Sequence, residues 1–538
     1  MNAGMPNVYE LLSSQGFSMR GVLAALHGAR VVELQERFTP TQPLRPLTLQ
    51  DEEGRRIYER SLRFVMLLAV RRLLPGQQVR IEYSIGHGVF VRLPGAQVDD
   101  ALMTRLTEEM NAITAADLPF VREVWSARRC MEYFAGEGQQ DKLDLLSRST
   151  AESMPIYGCG GMWEYFYGAM TPSTGYVRVF GLTRRHDGFV LRLPTADSPD
   201  TPAPYVDVPK HLRIFQQSAD WCEILGVTNA SDLAALTEQK RLRFFIRVNE
   251  ALHEQAIGAI ARDIVSQGRR IVLVAGPSSS GKTTFAGRLA VQLQVLGRRA
   301  YRLSLDDYYL NRCDIPREAD GSVDLEAITT LDLPLLREHM RGLLRGDTVE
   351  TPRFSFRSGK REPVGVPLTL GRDELVIIEG IHGLNPQLSE GLPHSALHRV
   401  YVSALTCINL DDHNRIRTTD VRLLRRMVRD QAFRGTPPEE TLAMWPSVRR
   451  GEEKWILPYQ EQADSMFNTA LHYELPVLKH FAYPCLLSVP DTTPGYPLIS
   501  RLLKTLRCFP DIDERVLDEV PPLSLLREFI GGCTMDEN

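Results

Sequence analysis

From residue 271 to about 490, short runs rich in Val, Ile and Leu (IVLVA, AYRLSL, ELVIIEG, HRVYVSA, PCLLSV) alternate with stretches of three-to-four-residue apolar spacing. That alternation predicts an α/β arrangement, a parallel sheet with crossover helices. Residues 1–192 instead mix strand-like runs (VRIEYSIGHGVFVRL, GYVRVFGL, GFVLRLP) with a helical pattern, DALMTRLTEEMNAI, at 100–113. They predict an α+β front region. Between the two lies LPTADSPDTPAPYVDVPK, 193–210, with five prolines. Proline fixes φ and removes a donor, so this stretch predicts a boundary. From about 211 to 268 the spacing is helical and predicts a connector.

Composition narrows the class. At 43% hydrophobic and 24% charged residues the chain has the make-up of a soluble globular protein, which excludes wholesale disorder or a membrane-embedded class. Net charge is −4, so no global basic field advertises nucleic acid, although a local patch remains open. Only eight of the 63 basic residues are lysine, so each lysine is worth inspecting. The eight cysteines form no C-x-x-C pair, which argues against a zinc ribbon or redox dithiol and suits a reducing compartment. The opening MNAGMPNVYELLSSQGFSM has neither the basic flank nor the apolar run of a signal peptide. No run approaches the ~18 apolar residues that span a bilayer. The expectation is a cytoplasmic protein with no membrane partner.

The most informative motif follows the run IVLVA. Gly276, Pro277, Ser278, Ser279, Ser280, Gly281, Lys282 and Thr283 fit G-x-x-x-x-G-K-[ST], with Thr284 next. Two glycines let the loop turn its backbone N–H groups inward around phosphate; Lys282 neutralises the β/γ oxygens, and the Thr283 hydroxyl suits Mg²⁺. A helix expected over about 282–297 points its positive end at the anion. The chain is thus expected to bind ATP with Mg²⁺. It lacks the N-K-x-D base reader of guanine-specific GTPases, and ELVIIEGIHG carries a single acid, Glu379, where motor ATPases have a pair. One carboxylate at a strand tip beside the cradle suits the metal or its water shell.

The acceptor side carries three further clusters. AYRLSL ends in Asp306-Asp307-Tyr308-Tyr309, and a carboxylate there can take the proton of an attacking hydroxyl. Asp306 is the candidate base; Asp307 reads equally as a turn cap. In TPRFSFRSGKRE, Phe354 and Phe356 alternate with polar residues, which fits either a base-stacking pair or a half-buried strand. In RLLRRMVRDQAFRG, Arg422, Arg425, Arg426 and Arg429 share one helical face and Arg434 follows at its exit. They read as a lid closing on transferring phosphates, or as a solvated basic face.

GPSSSGKT, LDDYY, VDLEAIT, TPRFSF, VIIEGI and RRMVRDQAFRG stand in the order found in the phosphoribulokinase/uridine kinase family, which residues 260–490 resemble. The resemblance implies that Lys282, Asp306, Arg429 and Arg434 are catalytic, that Thr283 and Glu379 hold Mg²⁺, and that Asp324, Phe354 and Arg426 contact a nucleoside. The acceptor it implies is a nucleoside or similar small hydroxyl compound, giving the monophosphate and ADP. Two positions depart from the pattern: Gly359 stands where the family carries a pyrimidine-contacting histidine, and Phe354 where it usually has tyrosine.

Residues 1–48 resemble a TGS domain, a small β-grasp module. Residues 50–192 resemble the editing domain of threonyl-tRNA synthetase through SLRFVMLLAVRRLLPG, IGHGVFVRL and YFYGAMTPS, with no synthetase catalytic core. The expected organisation is therefore 1–48, 50–192, a connector over 193–268, a P-loop kinase domain over 269–490 and a tail over 491–538. The synthetase domain places two histidines and a later Cys/His pair in its pocket; here those positions fall at Arg60, Phe64, Phe166 and Met170, so no zinc is expected. The front region is a candidate for RNA contact, and the chain a candidate homo-oligomer. The alternative reading is a nucleotide-sensing RNA-binding or regulatory protein with a synthetase-like front end.

Overall fold

The computed structural model of the chain describes residues 5–317 and 323–535. In the C-terminal half, five parallel strands lie in the order Ala300–Ser304, Leu375–Glu379, Ile271–Ala275, Leu397–Ser403, Ser465–Asn468. A sheet of this kind must be covered on both faces, and its strands are apolar on both. Val272, Val274, Ile377, Val400 and Val402 pack under Phe285, Leu289 and Leu293 of the helix Lys282–Val295. Ile271, Leu273, Val376 and Ile378 pack on Leu336, Met340 and Leu343 of the helix Leu333–Arg345. The fold is the expected α/β one.

Three elements differ from the sequence reading. PCLLSV is the end of a helix, Glu474–Leu487, that buries Leu475, Leu478, Ala482 and Leu486 at helical spacing and tolerates Pro484 inside it. The fifth strand is the edge segment Ser465–Asn468, too short and too mixed to stand out. Upstream, GYVRVFGL is not one strand: it opens as a 3₁₀ turn, Thr174–Val177, before the strand Gly181–Arg185.

The front module, described from residue 5, has one helix, Val8–Ser14, and a three-stranded antiparallel sheet over Ala24–His27, Arg30–Val32 and Leu44–Leu47. Next comes the helix Glu52–Leu73, then two further antiparallel sheets of four and three strands. The proline-rich stretch is irregular until the helix Pro209–Leu225; Ala230–Glu238 and Leu242–Ser266 complete the connector. The segment from 491 is not a loose tail. It forms the helices Tyr496–Arg507, Glu514–Glu519 and Arg527–Ile530, and Leu502, Leu506, Leu526 and Phe529 are fully buried.

Charged side chains fasten the two halves together. Asp420 receives Arg56 at 3.3 Å and Arg501 at 3.2 Å, while Arg501 also reaches Glu53 at 2.7 Å. Glu59 pairs with Arg415 at 3.5 Å and with Arg417. Deeper in the seam, Lys142 and His413 grip the two oxygens of Glu164 at 2.9 and 2.7 Å, with Asp411 3.8 Å from the lysine.

Candidate nucleotide and phosphoryl-transfer site

The strand order builds the site. Ile271–Ala275 and Ala300–Ser304 flank Leu375–Glu379 in parallel register, Val274 and Ser304 both standing beside Glu379. The loop 276–281, Glu379 and Asp306 therefore leave the sheet at neighbouring carboxyl ends, where α/β sheets bind ligands.

The loop itself needs its glycines. A Cβ on Gly276 would lie 2.1 Å from the Val402 carbonyl, and Gly281 sits at φ +84° just before the helix. Ser279 is held at φ +57° without being glycine, a strain that clusters at ligand-binding loops. The hydroxyls of Ser279 and Ser280 are buried and lack a hydrogen-bond partner among the described residues. Lys282 donates to the Pro277 carbonyl at 3.2 Å, and burial lowers its pKa, with Glu379, Glu528 and Asp306 pulling it back up.

Thr283 donates its hydroxyl hydrogen to Glu379 at 3.3 Å. Burial pushes Glu379 up to about 7; Lys282 opposes this, and Asp306 and Glu528 add to it. An oxygen pair whose carboxylate is costly to keep charged in isolation fits a divalent cation shared with phosphate. Asp306 is likewise raised, first by burial, with Lys282 and Arg434 countering. Asp307 has a different job: it accepts the Phe354 N–H at 3.1 Å and so ties the hairpin Phe354–Ser355/Lys360–Arg361 to the Asp306 turn. That hairpin brings Phe354 and Phe356 within 5.3 Å of each other and both within 6.2 Å of Tyr309.

The arginine cluster divides in a way that helical spacing did not reveal. Arg425 is fully buried on Glu474, and Arg422 is buried on Glu452 while donating to the Ser278 carbonyl at 2.9 Å. These two are packed inside and cannot belong to a lid or to a solvated face. Arg426, Arg429 and Arg434 remain at the cleft around one carboxylate, Asp430, at 3.1, 2.9 and 3.5 Å. Arg426 also donates to the Ser278 hydroxyl at 2.9 Å. Asp324 is turned toward the helix Pro438–Trp455, accepting from Trp455 Nε1 at 3.1 Å, with Lys454 at 3.6 Å.

Three residues escaped the sequence reading. Asp430 gathers the cleft arginines. Glu326 is half-buried within the fields of Arg426, Lys282 and Asp306. Glu528, from the last helix, accepts the Thr284 N–H at 3.2 Å and its hydroxyl at 2.9 Å. The motif VDLEAIT carried Glu326 in plain sight; nothing in the sequence signalled Glu528.

Residues 271–474 match the phosphoribulokinase/uridine kinase family. A uridine kinase of Deinococcus deserti is 30% identical over 195 residues, which cover 36% of this chain and 84% of that enzyme. The chain belongs to this family of phosphotransferases. A uridine kinase of Halobacterium salinarum is 28% identical over 193 residues and is covered to 76%. The N-terminal part is similar to threonine–tRNA ligases, at 28% identity over 183 residues for that of Aromatoleum aromaticum. The chain spans only 28% of that ligase's length. At the four positions where the synthetase resemblance puts a pocket, Phe64, Phe166 and Met170 are buried in one apolar cluster, and Arg60 donates to the Ala169 carbonyl. Among the described residues no helix is long and apolar enough to cross a membrane.

Proposed function

We propose that this chain transfers the γ-phosphoryl group of ATP to the hydroxyl of a small molecule, the 5′-hydroxyl of a nucleoside, releasing ADP and the monophosphate. The observation that carries this reading is the meeting of Lys282, Asp306 and Glu379 at three neighbouring strand ends, faced by the three arginines that share Asp430.

The loop amides and Lys282 bind the β/γ oxygens. The acceptor hydroxyl lies against Asp306, whose raised pKa makes its carboxylate a stronger proton acceptor. As the acceptor oxygen bonds to the γ-phosphorus and the bond to the β–γ bridging oxygen breaks, Asp306 takes the hydroxyl proton. Arg429 and Arg434 spread their charge over the transferring group, and three guanidiniums on one carboxylate leave positive charge to spare. Thr283 and Glu379 would hold Mg²⁺, which when bound neutralises phosphate charge. Phe354, Phe356 and Tyr309 offer stacking faces for the acceptor's base, and the family resemblance assigns Arg426 and Asp324 to the acceptor as well.

Selectivity is expected to differ from that of a dedicated uridine kinase. A Cβ on Gly359 would lie 2.5 Å from Arg312, so the guanidinium arm of Arg312 fills the room a side chain there would need. ADP release measured over a panel of nucleosides, with and without tRNA, tests the whole reading. Turnover with at least one nucleoside, independent of tRNA, is expected; turnover with none would sink it. Strict preference for uridine over cytidine and purines would refute the selectivity argument alone.

For the front half, we infer neither a catalytic zinc nor editing, because Arg60, Phe64, Phe166 and Met170 present no suitable lone pairs. Stoichiometric zinc together with deacylation of mischarged tRNA would overturn this.

A further inference from the structure

The last helix returns to the phosphate cradle from outside the family-matched stretch. Leu525, Leu526 and Phe529 anchor it in the core, each fully buried. Glu528 points the other way, and one of its oxygens takes both the Thr284 N–H and the Thr284 hydroxyl hydrogen. In a loop of this type the backbone amides are the groups that cradle the α/β-phosphates. A carboxylate therefore stands where the ligand's own negative charge is to bind. It is a strange neighbour for Glu379, whose burden of negative charge it increases.

Beyond Glu528 opens a cavity of about 270 Å³ lined by Thr283, Thr284, Phe433, Arg527, Gly531 and Cys533. One wall is the ring of Phe433, 58% exposed at the end of the arginine helix. The Gly531 backbone packs directly against that ring, where a Cβ would come within 2.9 Å of it. The volume lies just under the roughly 300–1,000 Å³ typical of small-molecule pockets, suited to a base with part of its sugar. An exposed aromatic ring is a stacking platform for any planar base.

We propose that residues 524–535 complete the nucleoside end of the ATP site, the base entering the cavity against Phe433 beside Arg527 and Cys533 and Glu528 yielding Thr284 to the phosphate as the nucleotide enters. The inference rests on the ATP-dependent reading above. It makes the tail a part of the binding site, and its carboxylate a competitor that any nucleotide must displace.

Cys533 on the cavity wall gives a direct readout. The full chain is alkylated with a maleimide, alone, with a non-hydrolysable ATP analogue and Mg²⁺, or with inorganic tripolyphosphate and Mg²⁺, and labelling is followed by peptide mass spectrometry. The analogue should slow labelling of Cys533 by about fivefold or more by covering the thiol, while tripolyphosphate, which fills only the cradle, should not. Exposed Cys313 serves as the internal control. Equilibrium dialysis of the analogue runs alongside. Bound analogue with unprotected Cys533 overturns the base site and leaves the kinase reading standing; absence of binding, even at millimolar analogue, overturns both. Glu528→Gln keeps both hydrogen bonds and removes the charge, so the analogue and tripolyphosphate should each bind it several-fold more tightly. Equal or weaker binding would reduce Glu528 to a helix cap and overturn the displacement.

Discussion

Two faces of one helix, Thr418–Phe433, and its C-cap Arg434 use the same side chain in opposite ways. Toward the core, Arg425 has the buried Glu474, and Arg422 pairs with the buried Glu452. Glu452 also takes Arg449, itself paired with Glu453 as well, so carboxylates match arginines one for one. Toward the cleft, Arg426, Arg429 and Arg434 divide the single Asp430. A guanidinium with its own partner is neutralised, and its removal strands a buried acid. One that shares a partner keeps unspent charge for an incoming anion. The ratio of carboxylates to arginines, more than the arginines' spacing, separates framework from machinery. In the front half Arg60 marks a third case: it is buried, and no carboxylate lies within ion-pairing distance among the described residues.

The largest effects belong to the cleft. Lys282→Ala should bring nucleoside phosphorylation to background while circular dichroism stays that of the parent, because the lysine supplies charge and not packing. Full activity in that variant would end the cradle argument. Asp306→Asn should lower kcat by ~10²–10⁴-fold with little change in ATP affinity. Wild-type turnover there, with Asp307→Asn inactive, would mean that the wrong carboxylate has been assigned.

The two helix faces are then compared directly. Arg425→Met should cost about 3–5 kcal/mol in denaturant unfolding, as expected when one partner of a buried pair is removed, with turnover per folded molecule kept. Arg429→Ala should do the reverse, losing ~10²–10³ in kcat at nearly constant stability. Equal stability losses at both positions would erase the distinction. The smallest effect is expected of Arg60→Met, the same substitution at an unpaired site. Its unfolding free energy should move by less than about 1 kcal/mol, since no acid is stranded and one hydrogen bond is lost. A loss as large as that of Arg425→Met would show that pairing is not what separates the two.

Much of the site was legible in the chain because its elements are local. The run IVLVA followed by GPSSSGKT dictates strand, turn and helix within 25 residues, and Asp306 and Glu379 each end an apolar run. What could not be read was pairing across long separations. Nothing near Arg425 indicates that Glu474 will meet it, and Thr284 and Glu528 lie 244 residues apart. Short apolar runs were ambiguous for another reason. PCLLSV has the composition of a buried strand, and only the preceding helical turns, which bury Leu475 and Leu478, settle it as a helix. The edge strand Ser465–Asn468 pairs on one side only and so needs little apolar character to form.

The seam between the halves sets an order on synthesis. Glu59 is buried early in the chain with Arg63 of its own helix at 3.9 Å, and its closer partners, Arg415 and Arg417, come more than 350 residues later. A ribosome adds about 5–20 residues per second, so the helix Glu52–Leu73 waits on the order of tens of seconds before its partners emerge. Lys142 and Glu164 can meet while the chain is still short, but His413 and Asp411 join them only from the other half. The helix Glu52–Leu73 therefore reaches its final packing only after residue 417 has been made.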